Sequence, residues 1–291
     1  MDSIRIIPRL DIKGPNLVKG IHLEGLRVLG CPAAFAKHYY EQGADELFYQ
    51  DVVASLFERN SLLHLVSETA KELFIPLTVG GGIRSVDDIS AALGAGADKI
   101  AINTAATRTP ELITQAAQKF GSSTVVVAIE AIRQDSGDYL AHTDNGRELT
   151  DLEVVNWARK AEKLGAGEIL LTSVDKEGTG EGFNIELVKA VCQSVSIPVI
   201  IHGGPGKAAD IIDGVVQGGA DAVAIASLLH YHTLNQIDDS SSGKISARQE
   251  GNMEFLKQKK IPKHFEPVGL VALKNYLLQN QVTCRPPEIT K

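Results

Sequence analysis

IPLTVGGGI (residues 75–83) returns later in the chain as IPVIIHGGP (residues 197–205). Further along, GADKIAINTA (residues 96–105) returns as GADAVAIASL (residues 219–228). The offsets of the two pairs are 122 and 123 residues. A period this long exceeds that of solenoid repeats, so it indicates a duplicated half-chain that contains several secondary-structure elements.

Two more pairs follow the same order. GADELFYQDV (residues 43–52) matches GAGEILLTSV (residues 165–174), and IPRLDIKG (residues 7–14) has a weaker counterpart in VAIEAIRQ (residues 127–134). Each half therefore holds four short apolar segments of the kind that forms buried parallel strands. The predicted strands are 5–11, 46–52, 76–80, 98–103, 124–130, 168–173, 198–202 and 221–226.

Longer amphipathic segments separate these strands. In DLEVVNWARKAEKLGAG (residues 151–167), Val154, Trp157, Ala158 and Ala161 recur at helical spacing, and glycines follow. Eight strands that alternate with helices predict a (β/α)8 TIM barrel of two duplicated half-barrels. An open doubly wound sheet is the alternative, but the two-fold repeat favours closure. We expect one domain over residues 1–291, with an insertion at about 235–266 before the last helix.

Composition narrows the class of protein. The chain is 44% hydrophobic with a net charge of −7, which gives no support for a nucleic-acid partner. The charged start lacks the apolar core of a signal peptide, and no apolar run is long enough for a membrane span. Three widely spaced cysteines suggest reduced thiols in the cytoplasm and show no metal-binding spacing. We expect no metal or cofactor.

The glycine runs follow the third and seventh predicted strands, at the end of a barrel where functional groups collect. The fourth and eighth strands end nearby in INTAA (residues 102–106) and IASLL (residues 225–229). Glycine backbones beside helix N-termini bind anions. Two such cradles across one barrel mouth suit a ligand with a phosphate at each end. The alternative is that the glycines only form tight turns.

Two acids occupy matching places in the halves. Asp11 ends the first predicted strand and Glu130 the fifth, and strand alternation puts Arg9 on the same face as Asp11. Carboxyl groups that face each other across a mouth can divide general-acid and general-base work. The alternative is that each acid pairs with a lysine or caps a turn.

Six segments, in chain order, resemble the cyclase subunit of imidazole glycerol phosphate synthase. They are RIIPRLDIKG, DELFYQDVVAS, VGGGIRS, GADKIAINTAA, GAGEILLTSVDKEGT and IHGGPGK, and the similarity covers residues 4–232 and, weakly, 267–286. The resemblance implies that a glutaminase subunit docks at the barrel bottom and supplies ammonia. That ammonia is joined to a bisphosphate ribonucleotide, PRFAR, to give imidazole glycerol phosphate and the purine precursor AICAR.

The resemblance also implies roles for particular residues. Asp11 and Glu130 take the positions of the acid–base pair. The predicted substrate and phosphate residues are Lys19 in the loop after the first strand, Gly82, Asn103 and Thr104 at one phosphate, Gly178, Gly204, Ala226 and Ser227 at the other, and Thr172 and His202. Four charges at strand starts correspond to an ionic gate for ammonia, namely Arg5, Glu46, Lys99 and Glu168. Asp98 matches a residue at the subunit contact.

Four interior positions depart from the family pattern. Glu130 replaces an aspartate, Arg9 a small residue, Gln50 an apolar residue and His202 a small hydroxyl residue. An inward Arg9 is expected either to intrude on the ammonia path or to pair with Glu130 and lower its pKa. His202 either binds phosphate, acts as an acid–base group or fills space.

These departures leave three hypotheses open. The chain is a histidine-pathway cyclase, a diverged paralogue that supplies ammonia for amidation of a sugar nucleotide in surface-polysaccharide synthesis, or a non-catalytic binding relic. Intact Asp11, Lys19 and both cradles argue against the third. The insertion contains DDSSSGK, which is typical of a flexible loop, and MEFLKQKK, which predicts a short helix. It is either a tolerated surface insertion or a lid beside the second cradle.

Overall fold

A closed ring of parallel strands forms the centre of the molecule. The computed structural model describes residues 3–53, 62–234, 236–237 and 261–287. Its strands are β1 (Arg5–Lys13), β2 (Asn16–Ile21), β3 (Glu24–Gly30), β4 (Leu47–Asp51), β5 (Leu77–Gly80), β6 (Lys99–Ile102), β7 (Val125–Arg133), β8 (Tyr139–Thr143), β9 (Glu148–Glu153), β10 (Glu168–Ser173), β11 (Val199–His202) and β12 (Ala222–Ile225). The ring runs β1–β4–β5–β6–β7–β10–β11–β12, and β12 pairs with β1 to close it. The predicted barrel is confirmed, and the open-sheet alternative is wrong.

Helices join the barrel strands. Among the described residues they are α1 (Pro32–Glu41), α2 (Leu63–Glu72), α3 (Val86–Gly94), α4 (Thr104–Arg108), α5 (Glu111–Phe120), α6 (Val154–Leu164), α7 (Ile185–Cys192), α8 (Ala208–Val216), α9 (Ser227–Thr233) and α10 (Leu270–Gln279). Helix α6 shows why these segments are helical. The Glu153 carboxylate accepts hydrogen bonds from the first free backbone N–H groups, Trp157 is buried, and Gly165 ends the helix in the left-handed conformation.

Two antiparallel hairpins extend the barrel, one in each half. Strands β2 and β3 follow β1, and strands β8 and β9 follow β7. The prediction that Lys19 lies in a loop is wrong, because Lys19 lies in β2. The first strand of each half continues past its acid, so its backbone donors and acceptors pair with the hairpin instead of remaining in a loop.

The barrel interior contains an apolar layer between its two ends. The buried apolar side chains of this layer are Ile7, Phe48, Ala101, Val126, Leu170, Ile200, Ala222 and Ala224. Strand alternation then places Arg9 one layer above, with the Arg9 Cζ atom 5.6 Å from the centre of the Phe48 ring. The interior therefore changes from apolar to charged toward the C-terminal ends of the strands.

The aspartates of the repeated Gly-Ala-Asp segments bind backbone groups at the N-terminal ends of the barrel strands. Three carboxylates accept a hydrogen bond from a strand backbone N–H: Asp45 from Ile6 at 2.8 Å, Asp98 from Leu77 at 2.9 Å and Asp221 from Val199 at 2.8 Å. Lys274 is fully buried and donates to Asp45 Oδ1 at 2.7 Å. These aspartates thus have a structural role at the N-terminal ends of the strands, which we call the barrel bottom.

Most of the insertion, including the predicted helix at 253–260, lies outside the described residues. Its described end approaches the barrel, since Phe265 is buried and lines a cavity with Gly178 and Gly204. Within the described ranges, no helix has the length and apolar character needed to cross a membrane.

Candidate active site

A cavity of about 230 Å³ opens at the C-terminal ends of the barrel strands. Its lining includes Gly82, Asn103, Thr104, Glu130 and Thr172. The structure therefore brings the residues predicted for the first cradle together with one of the two acids. We call this cavity the first cradle.

The turn between β8 and β9 closes one side of the first cradle. The backbone N–H of Asp144 donates to Thr104 Oγ1 at 3.2 Å, and Arg108 Nη2 lies 3.0 Å from Asp144 Oδ2. Asp144 and Arg108 also line the cavity, and neither was among the predicted site residues. A signal was present, because Asn145-Gly146 is typical of a hairpin turn.

Two glycines of the repeated runs are required by close packing. A β-carbon on Gly81 would lie 2.3 Å from the Asp51 carbonyl oxygen, and one on Gly203 would lie 2.6 Å from the Ser173 carbonyl oxygen. Both glycines have φ near +90°, which favours glycine. Glycine therefore lets the turn after β5 pack against the end of β4, and the turn after β11 pack against the end of β10.

The second cradle lies beside Phe265 and is much narrower. Its cavity measures about 10 Å³, and its lining includes the predicted residues Lys19, Gly178, His202, Gly204, Ala226 and Ser227. Lys19 forms a buried ion pair with Glu177. Burial lowers the pKa of Lys19 to about 8, although Asp11 opposes this shift. A positive charge thus lies at one wall of the second cradle.

Asp11 is buried in a cluster of positive charge. Arg9 Nε donates to Asp11 Oδ1 at 2.9 Å. Burial by itself would raise the pKa of Asp11, but the positive charges of Arg9 and Lys19 act against it, and that pKa lies below its usual value. Asp11 is therefore ionised at neutral pH.

The pKa of Glu130 is shifted in the opposite direction from that of Asp11. Burial raises the pKa of Glu130 to about 7, although the Gly146 N–H donates to Glu130 Oε2 at 2.7 Å and Arg9 opposes the shift. The expectation that Arg9 pairs with Glu130 is wrong, and although the charge of Arg9 acts to lower the pKa of Glu130, burial outweighs it. Arg9 pairs with Asp11 instead, since residues two apart on a strand share a face and lie close together.

A buried histidine fixes the backbone of Arg9. His230 Nε2 donates to the Arg9 carbonyl oxygen at 3.0 Å, and the Tyr39 hydroxyl lies 2.6 Å from His230 Nδ1. Because Arg9 offers only an acceptor, Nδ1 must accept from Tyr39. Burial lowers the pKa of His230 to about 3, so this ring stays neutral. No local pattern in the sequence predicts this contact, since the partners are far apart in the chain.

The four predicted gate charges meet in a ring at the barrel bottom. Arg5 Nη1 lies 2.9 Å from Glu46 Oε2 and 2.9 Å from Glu168 Oε1. Lys99 Nζ lies 2.9 Å from Glu46 Oε2 and 3.2 Å from Glu168 Oε2. Each base therefore bridges both acids, so that the charges balance across the entrance to the barrel interior.

An apolar surface lies beside Asp98 at the barrel bottom. Phe74 is 81% exposed there. A cavity of about 410 Å³ is lined by Phe74, Pro76, Leu77 and Asp98. Asp98 itself is exposed, although Oδ2 is occupied by the Leu77 N–H. Phe74 and this cavity together form the candidate protein-binding surface at the barrel bottom.

In the described ranges, no group of three or more His, Cys, Asp or Glu side chains is arranged to hold a metal ion. The polar groups of the two cradles include hydroxyls, amides and cations, which suit anions, together with the carboxyl groups of Glu130, Asp144 and Glu177.

Comparisons with known proteins agree with this geometry. The model of the histidine biosynthesis protein family matches residues 5–235. The chain belongs to that family. Several relatives are named imidazole glycerol phosphate synthase subunit HisF. The protein of Legionella pneumophila is 62% identical over 207 residues, which cover 71% of this chain and 98% of that protein. Those of Alkaliphilus metalliredigens and Lactococcus lactis subsp. lactis are 47% and 50% identical and each covers 81% of this chain, with 93% and 92% of the relatives matched.

The family membership narrows the three hypotheses. The matched region contains both acids, both cradles and all four gate charges. Since these three relatives carry the same name, the histidine-biosynthesis hypothesis is favoured over the sugar-nucleotide paralogue and the binding relic.

Proposed function

We propose that this chain is the cyclase subunit of imidazole glycerol phosphate synthase, which joins ammonia to PRFAR and releases imidazole glycerol phosphate and AICAR. The observation that carries the proposal is the pair of acids at equivalent places in the two halves. Asp11 is opposite Gln50 in the β1–β4 pair, and Glu130 is opposite Thr172 in the β7–β10 pair. Their opposite pKa shifts assign separate roles to the two carboxyls.

The proposed chemistry uses one acid in each protonation state. Addition of ammonia and closure of a ring require a group that removes protons from nitrogen and a group that protonates the departing atom. Ionised Asp11 serves as the base. Glu130, which holds its proton up to about pH 7, serves as the acid. The cradles would hold the two phosphates of the substrate and set the reacting carbon between the acids.

The proposed ammonia route runs along the barrel axis. It enters at the ring of Arg5, Glu46, Lys99 and Glu168 and crosses the apolar layer. A neutral molecule crosses such a layer far more readily than a cation, so the barrel favours ammonia over ammonium. Arg9 stands at the upper end of this route and must leave room for ammonia to reach Asp11.

The proposed glutaminase partner docks at the barrel bottom. Exposed Phe74 and the neighbouring cavity support this surface, and it adjoins the ring through which ammonia would enter. We also propose a cytoplasmic location. In support, Cys31, Cys192 and Cys284 are free thiols, as is usual for a reducing compartment.

Replacing Phe74 with aspartate is expected to weaken binding of the glutaminase subunit by about 10-fold or more, since truncation of a buried aromatic contact commonly costs over 1 kcal/mol. Turnover with free ammonia should be unchanged. Binding is measured by calorimetry with the purified partner. Leu149→Asp is the matched control, because Leu149 is 56% exposed on the hairpin at the opposite end. Equal affinities of the two variants would contradict the proposed docking surface.

The proposed activity is tested with the purified chain, PRFAR and an ammonium salt, so that no partner is required. We expect substrate loss with equal amounts of imidazole glycerol phosphate and AICAR. Both products are quantified by chromatography. A folded chain that consumes no PRFAR at any ammonium concentration would overturn the proposed function.

A further inference from the structure

His202 occupies a position in the second cradle that the resemblance does not explain. Its side chain is 4% exposed and lines the cavity together with Lys19, Gly204 and Ser227. The family has a small hydroxyl residue at this position, whereas this chain places an imidazole ring there. The ring therefore contributes a titratable group to the wall that would face a phosphate.

The hydrogen bonds of His202 fix its tautomer. His202 Nδ1 lies 3.0 Å from the Ala224 carbonyl oxygen, which can only accept. Nδ1 therefore carries the proton. Nε2, on the other side of the ring, is buried and has no hydrogen-bond partner among the described residues. In the neutral ring, Nε2 can only accept a hydrogen bond.

The surroundings keep the ring neutral before ligand binds. Burial lowers the pKa of His202 well below its usual value, and the positive charges of Arg9 and Lys19 act in the same direction. The negative charge of Asp11 opposes them. Glu177 also lines the cavity but is paired with Lys19. In the second cradle, the lone pair of His202 Nε2 thus lies beside the proposed phosphate position without a hydrogen-bond donor among the described residues.

A lone pair is a poor partner for a phosphate dianion, which has only acceptor oxygens to offer. A proton between Nε2 and a phosphate oxygen removes the conflict. That proton belongs either to a monoanionic phosphate or to an imidazolium ring, and both descriptions have the same total charge.

We propose that the second cradle binds a phosphate monoester together with one proton, which is shared between His202 Nε2 and a phosphate oxygen. The inference rests on the proposed function, because it assumes that the second cradle holds a phosphate of the substrate. It makes His202 the residue that sets the protonation state of the bound ligand. Above the second pKa of a phosphate monoester, about 6, affinity at this cradle then falls about 10-fold per pH unit.

The test counts protons taken up on ligand binding. Glycerol phosphate is titrated into the protein by calorimetry at about pH 7.5, where a monoester with a second pKa of about 6 is mostly dianionic. Buffers of different ionisation enthalpy then give the number of protons bound. His202→Gln is the matched variant, because its amide N–H₂ can donate to a dianion without a proton. His202→Ser, which restores a small hydroxyl, serves if the glutamine variant does not fold.

The wild-type chain is expected to take up about one proton more per bound ligand than either variant. Glu130 and Lys19 can also take up protons, but they are present in all three proteins, so the difference reports on His202. Equal proton uptake by the wild type and a folded variant would overturn the inference while leaving the phosphate cradle in place. If none of the three proteins bound glycerol phosphate, the cradle would be overturned as well, and with it the proposed function.

Discussion

Asp11→Asn is expected to lower kcat for ammonia-dependent turnover by about 10²–10⁴-fold, the usual contribution of a positioned general base. Asparagine has nearly the same shape but cannot accept the proton. A cluster of positive charge keeps Asp11 ionised near neutral pH, so the variant lacks a base that the wild type holds ready. The effect should fall mainly on kcat, since the cradles that would bind the phosphates are unchanged.

The Asp11 variant also needs a stability control. Asp11→Asn leaves buried Arg9 without its ion-pair partner, and breaking such a pair commonly costs about 3–5 kcal/mol of unfolding free energy. Activity is therefore compared well below the unfolding transition of each protein. Asp138→Asn, an exposed change in the β7–β8 turn, is the matched control. If folded Asp11→Asn retained near wild-type kcat, the assignment of Asp11 as base would be wrong.

Glu130→Gln is expected to lower kcat for ammonia-dependent turnover by a similar factor, about 10²–10⁴-fold. The wild-type enzyme should also show a pH dependence that the variant lacks. Burial raises the pKa of Glu130 to about 7, so the protonated fraction falls as pH rises through about 7. Activity that needs the protonated acid falls over the same interval. The measurement is kcat against pH at a constant concentration of free ammonia, so that ammonia supply does not change with pH.

The controls for Glu130 separate charge from position. Glu148→Gln removes an exposed carboxylate on the neighbouring hairpin and should leave the profile unchanged. Glu130→Asp restores the residue type of the family but withdraws the carboxylate from the Gly146 N–H, and a misplacement near 1 Å costs about 10²-fold. If Glu130→Gln kept the decline above about pH 7, another group would be responsible for it.

The repeat made most of the barrel predictable from the sequence. The β4 and β10 strands were found because GADELFYQDV and GAGEILLTSV match, and the observed strands begin and end within one or two residues of the predictions. The hairpins were missed, because the buried run of β2 does not alternate with exposed residues and β3 is mostly not buried. Strand β2 pairs with β1, and β3 pairs with β2. The dipeptide Asn145-Gly146, which is typical of a hairpin turn, was the one local signal for β8 and β9.

The site was predictable in composition but not in its internal contacts. Gly82, Asn103 and Thr104 meet Glu130 in one cavity, as expected from strand ends in a barrel. The partner of Arg9 was left open, because a long inward side chain can reach either the acid on its own strand or the acid across the barrel, and only the packed geometry selects Asp11. The approach of Phe265 to the second cradle was also not predictable, since it depends on how the chain returns from the insertion.

The central claim is that the barrel carries ammonia from a docked glutaminase to the two acids. It is tested by supplying the complex with PRFAR, glutamine labelled with heavy nitrogen at its amide, and a large excess of unlabelled ammonium. The origin of the new nitrogen in imidazole glycerol phosphate is then read by mass spectrometry. We expect this nitrogen to come mainly from glutamine. The reason is that ammonia would enter the barrel without mixing with solvent, through the ring of Arg5, Glu46, Lys99 and Glu168. Label diluted to the level of the bulk ammonium pool would contradict it.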